Sequence, residues 1–131
     1  MPYDFEVSDQ MPVPPEIVFD AWMSSVGHSA MTGATATVDP RVGGAFDAWN
    51  GYINGETVAL DAPVRIVQTW RTSNFTDADP DSRIEVVLSR NDEGTLVTIR
   101  HSSVPDEHLG YENGGWNQSY FTPMKAYFAS M

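Results

Sequence analysis

The sequence predicts an α+β domain in which a curved antiparallel β-sheet wraps around one long C-terminal α-helix. Three observations predict this class. A short helix follows the first strand, five or six strand-like segments fill the middle, and the apolar residues take helical spacing in the last quarter. An antiparallel sheet with one face in water needs cover on its other face. The C-terminal segment is long enough to supply it, since residues 106–130 as a helix span at most roughly 37 Å.

The N-terminal quarter holds one strand and one helix. Residues 3–8 alternate weakly between apolar and polar side chains and predict a short strand. A helix then opens at Pro14-Pro15-Glu16, because proline suits the first helical turn, where its missing N–H needs no partner. The helix is expected to end between residues 24 and 27, before a loop that contains His28. Its apolar face holds Val18, Phe19 and Trp22.

The middle of the chain reads as a series of short antiparallel strands. Asp39-Pro40 and Asn50-Gly51 separate the first of them, and Asn50-Gly51 is a strong hairpin signal. An acidic loop at residues 77–81 and a turn at residues 91–94 separate the later strands. The predicted strands are Ala34 to Val38, Gly44 to Trp49, Tyr52 to Leu60, Val64 to Thr72, the strand of Ile84, Val86 and Leu88, and the strand of Val97, Ile99 and His101.

The last segment carries apolar residues at helical spacing. Pro123 lies inside this pattern and should remove the backbone hydrogen bond to the carbonyl of Ser119, which kinks the helix. The pattern therefore predicts a kinked helix from Gly115 to the end of the chain. Its apolar positions are Trp116, Tyr120, Met124 and Tyr127/Phe128.

Composition restricts the function classes. The 131 residues fit one domain, residues 1–131, and the absence of cysteine excludes disulfides and thiol chemistry. A net charge of −11 disfavours nucleic acids and anionic membrane surfaces as partners. The N-terminus lacks the pattern of a signal peptide, and no apolar run approaches the roughly 20 residues of a membrane helix. The cytoplasm is the expected location, with a monomer and a homodimer both open.

No cofactor or metal site is expected from the histidines. His28, His101 and His108 lack the i, i+4 spacing of a helical metal site. Each is interpreted as a surface or core histidine instead.

Three polar residues share predicted inward faces with apolar ones. Glu56 shares a strand face with Val58 and Leu60. Gln68 and His101 each share a face with apolar residues of their own strands. Such groups cost about 1–3 kcal/mol each if they are buried without a partner. One interpretation is that they converge in a pocket, where a desolvated Glu56 acts as a general acid or base. The other is that each lies near a strand end, bonded to backbone or water.

An ordered set of short motifs resembles the activator of heat-shock protein 90 ATPase homologue 1-like family over roughly residues 12–128. The motifs are Asp39 to Phe46, Asn50-Gly51, Gly55-Glu56, Arg65 to Arg71, Gly94-Thr95, Val104-Pro105, Gly115-Trp116 and Tyr120-Phe121. The family is similar to the START and polyketide-cyclase superfamily (SRPBCC), which implies the helix-grip fold and a cavity between the sheet and the C-terminal helix. Many superfamily members hold apolar ligands there, and the eukaryotic chaperone activators carry this domain after a separate N-terminal domain.

The predicted cavity wall combines inward apolar residues with the three polar ones. The apolar set also includes Val58, Leu60, Ile84, Val86, Val97 and Ile99, and it either fills a core or lines a pocket. The candidate ligand-binding residues are Trp22, Phe46, Glu56, Gln68, Trp70, His101, Trp116, Tyr120 and Met124.

Three functions remain open from the sequence. The first is the binding of a small, largely apolar molecule, with no assigned reaction. The second, which the resemblance implies, is regulation of a chaperone like heat-shock protein 90 through protein–protein contact. The third is a cofactor-free enzyme of cyclase or hydrolase type that uses Glu56 or His101.

Overall fold

Seven strands and three helices form the fold in the computed structural model, which describes residues 3–73, 75–105 and 115–131. The strands are β1 (Tyr3–Met11), β2 (Thr37–Val38), β3 (Ala45–Ala48), β4 (Ile53–Asp61), β5 (Arg65–Thr72), β6 (Ser82–Asn91) and β7 (Gly94–Val104). The helices are α1 (Pro15–Trp22), α2 (Ser25–Thr32) and α3 (Thr122–Ala129), and a π-helical turn (Asn117–Phe121) leads directly into α3.

The strands form one antiparallel sheet in the order β1-β7-β6-β5-β4-β3-β2. Consecutive strands are neighbours from β2 to β7, and β1 closes the far edge beside β7. The segment that holds α1 and α2 therefore connects the two edges of the sheet. The π-helical turn and α3 contact α2, and α3 also contacts β1. This arrangement confirms the predicted α+β helix-grip class.

The C-terminal segment buries one continuous apolar stripe. Trp116, Tyr120, Met124 and Phe128 recur every fourth residue, and each is at most 2% exposed, which confirms the helical spacing read from the sequence. The helix changes type just before Pro123, where the N–H of Thr122 bonds to the carbonyl of Asn117, five residues back. The predicted discontinuity at the proline therefore takes the form of a π-helical turn. Residues 106–114 of the predicted helix lie outside the described residues.

A second N-terminal helix, α2, stands where the sequence predicted a loop. The side chain of Ser24 caps it by accepting the N–H of Gly27 at 3.1 Å, and Gly33 ends it in the left-handed conformation with φ 81°. His28 therefore lies on a helix, and it is buried. The strand predicted over residues 34–38 shortens to Thr37–Val38, and residues 34–36 connect it to the end of α2.

Gly27 allows α2 to approach the end of α1 closely. A Cβ atom at this position would lie 2.6 Å from the Cα of Ala21, a backbone atom that a side-chain rotation cannot move away. The close approach brings α2 alongside Trp22, which precedes it in the chain. The position of His28 in the core therefore depends on a glycine one residue earlier.

The inward face of β4 is out of phase with the prediction. A register shift between Thr57 and Ala59 interrupts the pairing of β4 with β5. Before the shift Thr57 lies opposite the buried Gln68, and after it Leu60 lies opposite the buried Ile66. Because opposite partners share a face, the two inward positions are three residues apart. The prediction assumed unbroken alternation.

Glu56 and Val58 are consequently exposed rather than inward-facing. The backbone N–H of Glu56 bonds to the Oγ1 of Thr69 at 2.9 Å, and that contact is open to solvent. The predicted placement of Glu56 in a desolvated pocket is wrong, because the irregularity in β4 gives the inward position to Thr57. Val58 likewise does not belong to the core wall.

Candidate functional site

A cavity of about 350 Å³ lies between the sheet and the π-helical turn. The sheet contributes the end of the β3–β4 hairpin and the last residues of β5, and the C-terminal segment covers them. None of the nine described residues that line the cavity carries a charged side chain. They are Trp49, Tyr52, Ile53, Trp70, Thr72, Gly115, Trp116, Ser119 and Tyr120.

Three of the nine predicted ligand-binding residues line this cavity: Trp70, Trp116 and Tyr120. The indole rings of Trp70 and Trp116 lie 4.8 Å apart, and the ring of Tyr120 lies 5.1 Å from that of Trp116. The aromatic side chains predicted for the cavity wall therefore do meet. Five others are buried in the surrounding core without lining the cavity: Trp22, Phe46, Gln68, His101 and Met124.

A first set of buried polar groups, here named the sheet network, joins Trp116 to the sheet through His101. The indole N–H of Trp116 donates to Nδ1 of His101 at 3.3 Å, so Nδ1 carries no proton. The proton therefore lies on Nε2, which donates to Oγ of Ser82 at 2.9 Å. The Ser82 hydroxyl in turn donates to the backbone carbonyl of Trp70 at 2.6 Å. A single set of proton positions therefore satisfies all three hydrogen bonds.

Burial lowers the pKa of His101 to about 3, so the ring is neutral near pH 7. Its two ring nitrogens bond to Trp116 and Ser82. A neutral ring with both nitrogens engaged holds Trp116 against the sheet. The same engagement leaves neither nitrogen placed to exchange a proton with a molecule in the cavity.

A second set, here named the helix network, joins Tyr120 to α1 and α2 through His28. Nδ1 of His28 donates to the backbone carbonyl of Trp22 at 2.9 Å, because a carbonyl can only accept. Nε2 therefore accepts, and the hydroxyl of Tyr120 donates to it at 2.7 Å. The indole N–H of Trp22 donates to Oε1 of Gln68 at 3.0 Å, and Nε2 of Gln68 donates to Oγ1 of Thr57 at 3.2 Å.

The electrostatics of the helix network fix its protonation. Burial lowers the pKa of His28 to about 4, although its bond to the Trp22 carbonyl acts in the opposite direction. Burial raises the pKa of the Tyr120 hydroxyl, so this group keeps its proton and remains a donor. The predicted burial of Gln68 among apolar residues holds, and its amide is satisfied by Trp22 and Thr57.

Sequence reasoning missed His28, although two signals pointed to it. Ser24 is a favourable N-cap residue, and His28, Met31 and Thr32 follow at the i, i+3, i+4 spacing of one buried helix face. Gly33 is the matching C-cap.

Two other indole groups beneath the C-terminal segment have no hydrogen-bond partner among the described residues. They are the N–H groups of Trp49 and Trp70, and both nitrogen atoms are buried. Leaving such a donor unpaired costs about 1–3 kcal/mol. Both residues line the cavity with other atoms of their rings, while the nitrogen atoms themselves are closed off from it.

Trp49 reaches the cavity from an unusual backbone conformation. It has φ 53° and the next residue, Asn50, has φ 60°, both in the left-handed region that is rare for a large side chain. Two bonds hold this turn: the N–H of Asn50 donates to the carbonyl of Thr35 at 2.9 Å, and its side-chain oxygen accepts the N–H of Thr35 at 3.1 Å. The hairpin signal located the turn, but it carried no information on where the Trp49 ring points.

Within the described ranges, no three His, Cys, Asp or Glu side chains gather in a group that suits a metal ion. His108 lies outside the described residues, so its predicted role as an ordinary surface or core histidine is not assessed. Every helix in the described part of the chain is too short or too polar to span a bilayer.

The family model of the activator of Hsp90 ATPase homolog 1-like proteins matches residues 12–129. The chain therefore belongs to this family, and the resemblance read from the sequence motifs is confirmed.

Individual relatives agree with this assignment. A Dictyostelium discoideum protein named activator of 90 kDa heat shock protein ATPase homolog is 23% identical over 125 residues, which cover 95% of this chain and 32% of that protein. The chain thus spans about a third of the length of that relative. The crystal structure of an HSP90 activator from Plasmodium falciparum matches with a TM-score of 0.81 and 26% identity, covering 95% of this chain and 94% of that one. A Mesorhizobium loti protein matches with a TM-score of 0.82 and 20% identity over 98% of both chains.

Proposed function

We propose that this member of the family binds a small, largely apolar molecule in the cavity between its sheet and its C-terminal segment. The observation that carries the proposal is the cavity itself, about 350 Å³, whose described lining has five aromatic side chains and no charged one. Small-molecule sites in proteins occupy roughly 300–1,000 Å³ and are mostly apolar with a few placed polar groups. This cavity has that size and that character.

The surroundings of the cavity support a preformed site. The sheet network fixes Trp116 and the helix network fixes Tyr120, so two wall residues are held by buried hydrogen bonds as well as by packing. A wall that is already rigid loses little conformational entropy when a ligand enters. The π-helical turn that presents Ser119 and Tyr120 is a type of helix irregularity that often occurs at functional sites.

The test is native mass spectrometry of the protein purified under mild conditions from the cells that naturally produce it, followed by extraction and identification of the bound molecule. A stoichiometric apolar molecule is expected. A clean apo mass, together with no thermal shift across a panel of lipids and polycyclic compounds, would contradict the proposal.

A pair of variants makes this test specific to the cavity. Ser119 is half-buried and lines the cavity, whereas its neighbour Gln118 is exposed on the same turn. Ser119→Phe should fill the cavity and abolish binding, while Gln118→Phe should bind as the unchanged protein does. Melting curves of both variants establish that they are folded. Retention of the bound molecule by a folded Ser119→Phe protein would place the binding site elsewhere.

A second candidate function is regulation of a chaperone of the Hsp90 type. The observation that favours it is the similarity, at 26% identity over nearly the full length of both chains, to the Plasmodium falciparum HSP90 activator. Its test is the ATPase rate of a purified Hsp90 protein with and without this chain. A rise in rate that is equal for the unchanged protein and for Ser119→Phe would support a cavity-independent contact, and no rise would count against it.

The enzyme hypothesis loses its basis in the two residues that the sequence offered. Glu56 is exposed and does not line the cavity, and both ring nitrogens of His101 bond to protein groups. We therefore propose binding rather than turnover for this cavity.

A further inference from the structure

The four tryptophans of the chain divide into two pairs by the state of their indole N–H groups. Trp22 donates to Gln68 and Trp116 donates to His101, so these two are paired inside the protein. Trp49 and Trp70 have buried nitrogen atoms without a partner among the described residues, and both line the cavity. The unpaired donors are thus confined to cavity residues, while Trp116 shows that a cavity residue can also be paired.

The chain supplies acceptors readily where an indole is structural. An amide oxygen meets Trp22 and an imidazole nitrogen meets Trp116, each in the buried core. Buried polar groups in proteins are nearly always satisfied, and an exception requires an explanation. Two exceptions beside one cavity have a common explanation, which is an acceptor that arrives with the ligand.

The backbone at Trp49 provides an independent observation. A tryptophan with φ 53° is strained, and such residues persist where the surrounding structure enforces them, most often at binding and catalytic sites. The paired bonds between Asn50 and Thr35 enforce this one. The strain is therefore consistent with a residue that is placed for contact with a ligand.

We infer that the molecule bound in the cavity is an uncharged, largely apolar compound with carbonyl-type oxygen acceptors, and that the side chains of Trp49 and Trp70 shift on binding so that their buried indole N–H groups donate to it. This inference rests on the proposed binding function. Aromatic ketones and quinones have the required chemistry, since they combine flat apolar surface with acceptor oxygens and carry no donor. A charged ligand is disfavoured because none of the nine described lining residues offers a countercharge.

The test compares two probes that differ by one carbonyl oxygen, fluorenone and fluorene. Dissociation constants are measured by titration of the unchanged protein and of three variants, Trp49→Phe, Trp70→Phe and Trp116→Phe. All three substitutions shrink an aromatic residue of the cavity wall, but only the first two remove an unpaired N–H. Trp116→Phe is therefore the matched control, and melting curves verify that each variant is folded.

The unchanged protein should bind fluorenone roughly 2- to 10-fold more tightly than fluorene, the ratio that a net hydrogen bond corresponds to. Water solvates the carbonyl of free fluorenone, so solvation alone would give the opposite order. The ratio should fall toward one in Trp49→Phe and in Trp70→Phe and should persist in Trp116→Phe, where both affinities decrease together.

The possible outcomes separate this inference from the proposed function. Equal affinity for the two probes, or a preference that Trp49→Phe or Trp70→Phe leaves undiminished, overturns the donor assignment and leaves apolar binding intact. Failure of both probes to bind the folded, unchanged protein counts against the proposed function itself, and the inference falls with it.

Discussion

The buried aromatic side chains beneath the C-terminal segment form two regions that differ in how their polar groups are hydrogen-bonded. In the sheet network and the helix network, the hydrogen bonds of His28, His101, Trp116 and Tyr120 all have assigned partners inside the protein. In the adjoining cavity wall, the N–H groups of Trp49 and Trp70 are buried and have no partner in the part of the chain that the structure describes. Tryptophan occurs in both regions.

The difference separates groups that hold the fold from groups that we propose serve a ligand. His28 accepts a hydrogen bond at Nε2 from Tyr120, and His101 accepts one at Nδ1 from Trp116, both residues of the C-terminal segment. The other ring nitrogen of each histidine donates to a different element of the fold. The two histidines fasten that segment to the helices on one side and to the sheet on the other. The cavity wall lies against the segment that these bonds hold in place. Its Trp49 and Trp70 N–H groups have no partner among the described residues.

Acidification should break the paired region most strongly. Both histidines are neutral in the folded protein, with pKa values of about 4 for His28 and about 3 for His101, whereas an unfolded chain binds these protons near pH 6.5. Stability is therefore fully present above pH 6.5 and falls as the pH drops toward 4, by on the order of 3 kcal/mol for each ring. Urea unfolding at a series of pH values measures this loss.

A matched variant assigns the acid sensitivity to its source. The slope of the free energy of unfolding against pH measures how many protons the chain takes up on unfolding. His28→Gln removes one titrating ring, so this number should fall by up to about one between pH 6 and pH 5. An unchanged slope in this variant would show that His28 is not the neutral, buried group described here.

Trp116→Ala should have the next largest effect, because it affects both regions. It removes a ring that packs against Trp70 at 4.8 Å, and it deprives Nδ1 of His101 of its donor. A loss of about 3–5 kcal/mol in the free energy of unfolding is expected, as for other aromatic-to-alanine changes in a core. Urea unfolding measures it, and a loss below about 1 kcal/mol would contradict the burial of this residue.

Tyr120→Phe isolates one bond of the helix network. The change keeps the ring but removes the hydroxyl that donates to Nε2 of His28, which leaves that buried nitrogen without its donor. It should cost about 1–3 kcal/mol. Tyr127→Phe, at a half-buried tyrosine of α3, should change stability by less than about 0.5 kcal/mol. Equal effects of the two changes would argue against the bond to His28.

The smallest effect sharpens the comparison most directly. Trp22→Phe and Trp70→Phe delete the same atoms, but Trp22→Phe also leaves the amide oxygen of Gln68 without its indole donor. Trp70→Phe removes a donor that has no partner among the residues that the structure describes. Trp70→Phe should therefore be the milder change by about 1 kcal/mol in the free energy of unfolding. The reverse order would mean that the Trp70 N–H is paired in solution.

The sequence predicted the fold and the C-terminal part of the cavity because both depend on periodicity. Trp116, Tyr120 and Met124 share one helix face whatever surrounds them, so their spacing sufficed. Gln68 and His101 were placed inward correctly because β5 and β7 continue their alternation at these positions.

Other parts of the site depend on events that leave little trace in the pattern. The irregularity in β4 moved the inward position from Glu56 to Thr57, and the only local hint of it is Gly55 inside the strand. The ring of Trp49 reaches the cavity through a left-handed backbone in a turn. His28 is placed by the close approach of α1 and α2 at Gly27, a tertiary contact that requires the folded chain.

The most direct test of the central claim is a proton–nitrogen correlation spectrum of the labelled protein, in which each of the four tryptophans gives one indole N–H signal. With fluorenone bound, the signals of Trp49 and Trp70 should lie downfield of their positions with fluorene bound, as expected for new hydrogen bonds, because the ring currents of the two flat probes are alike. The signals of Trp22 and Trp116, which are already bonded to Gln68 and His101, should lie at nearly the same positions with both probes. Spectra in which the Trp49 and Trp70 signals take the same positions with both probes would contradict the claim that the cavity offers these donors to an apolar ligand.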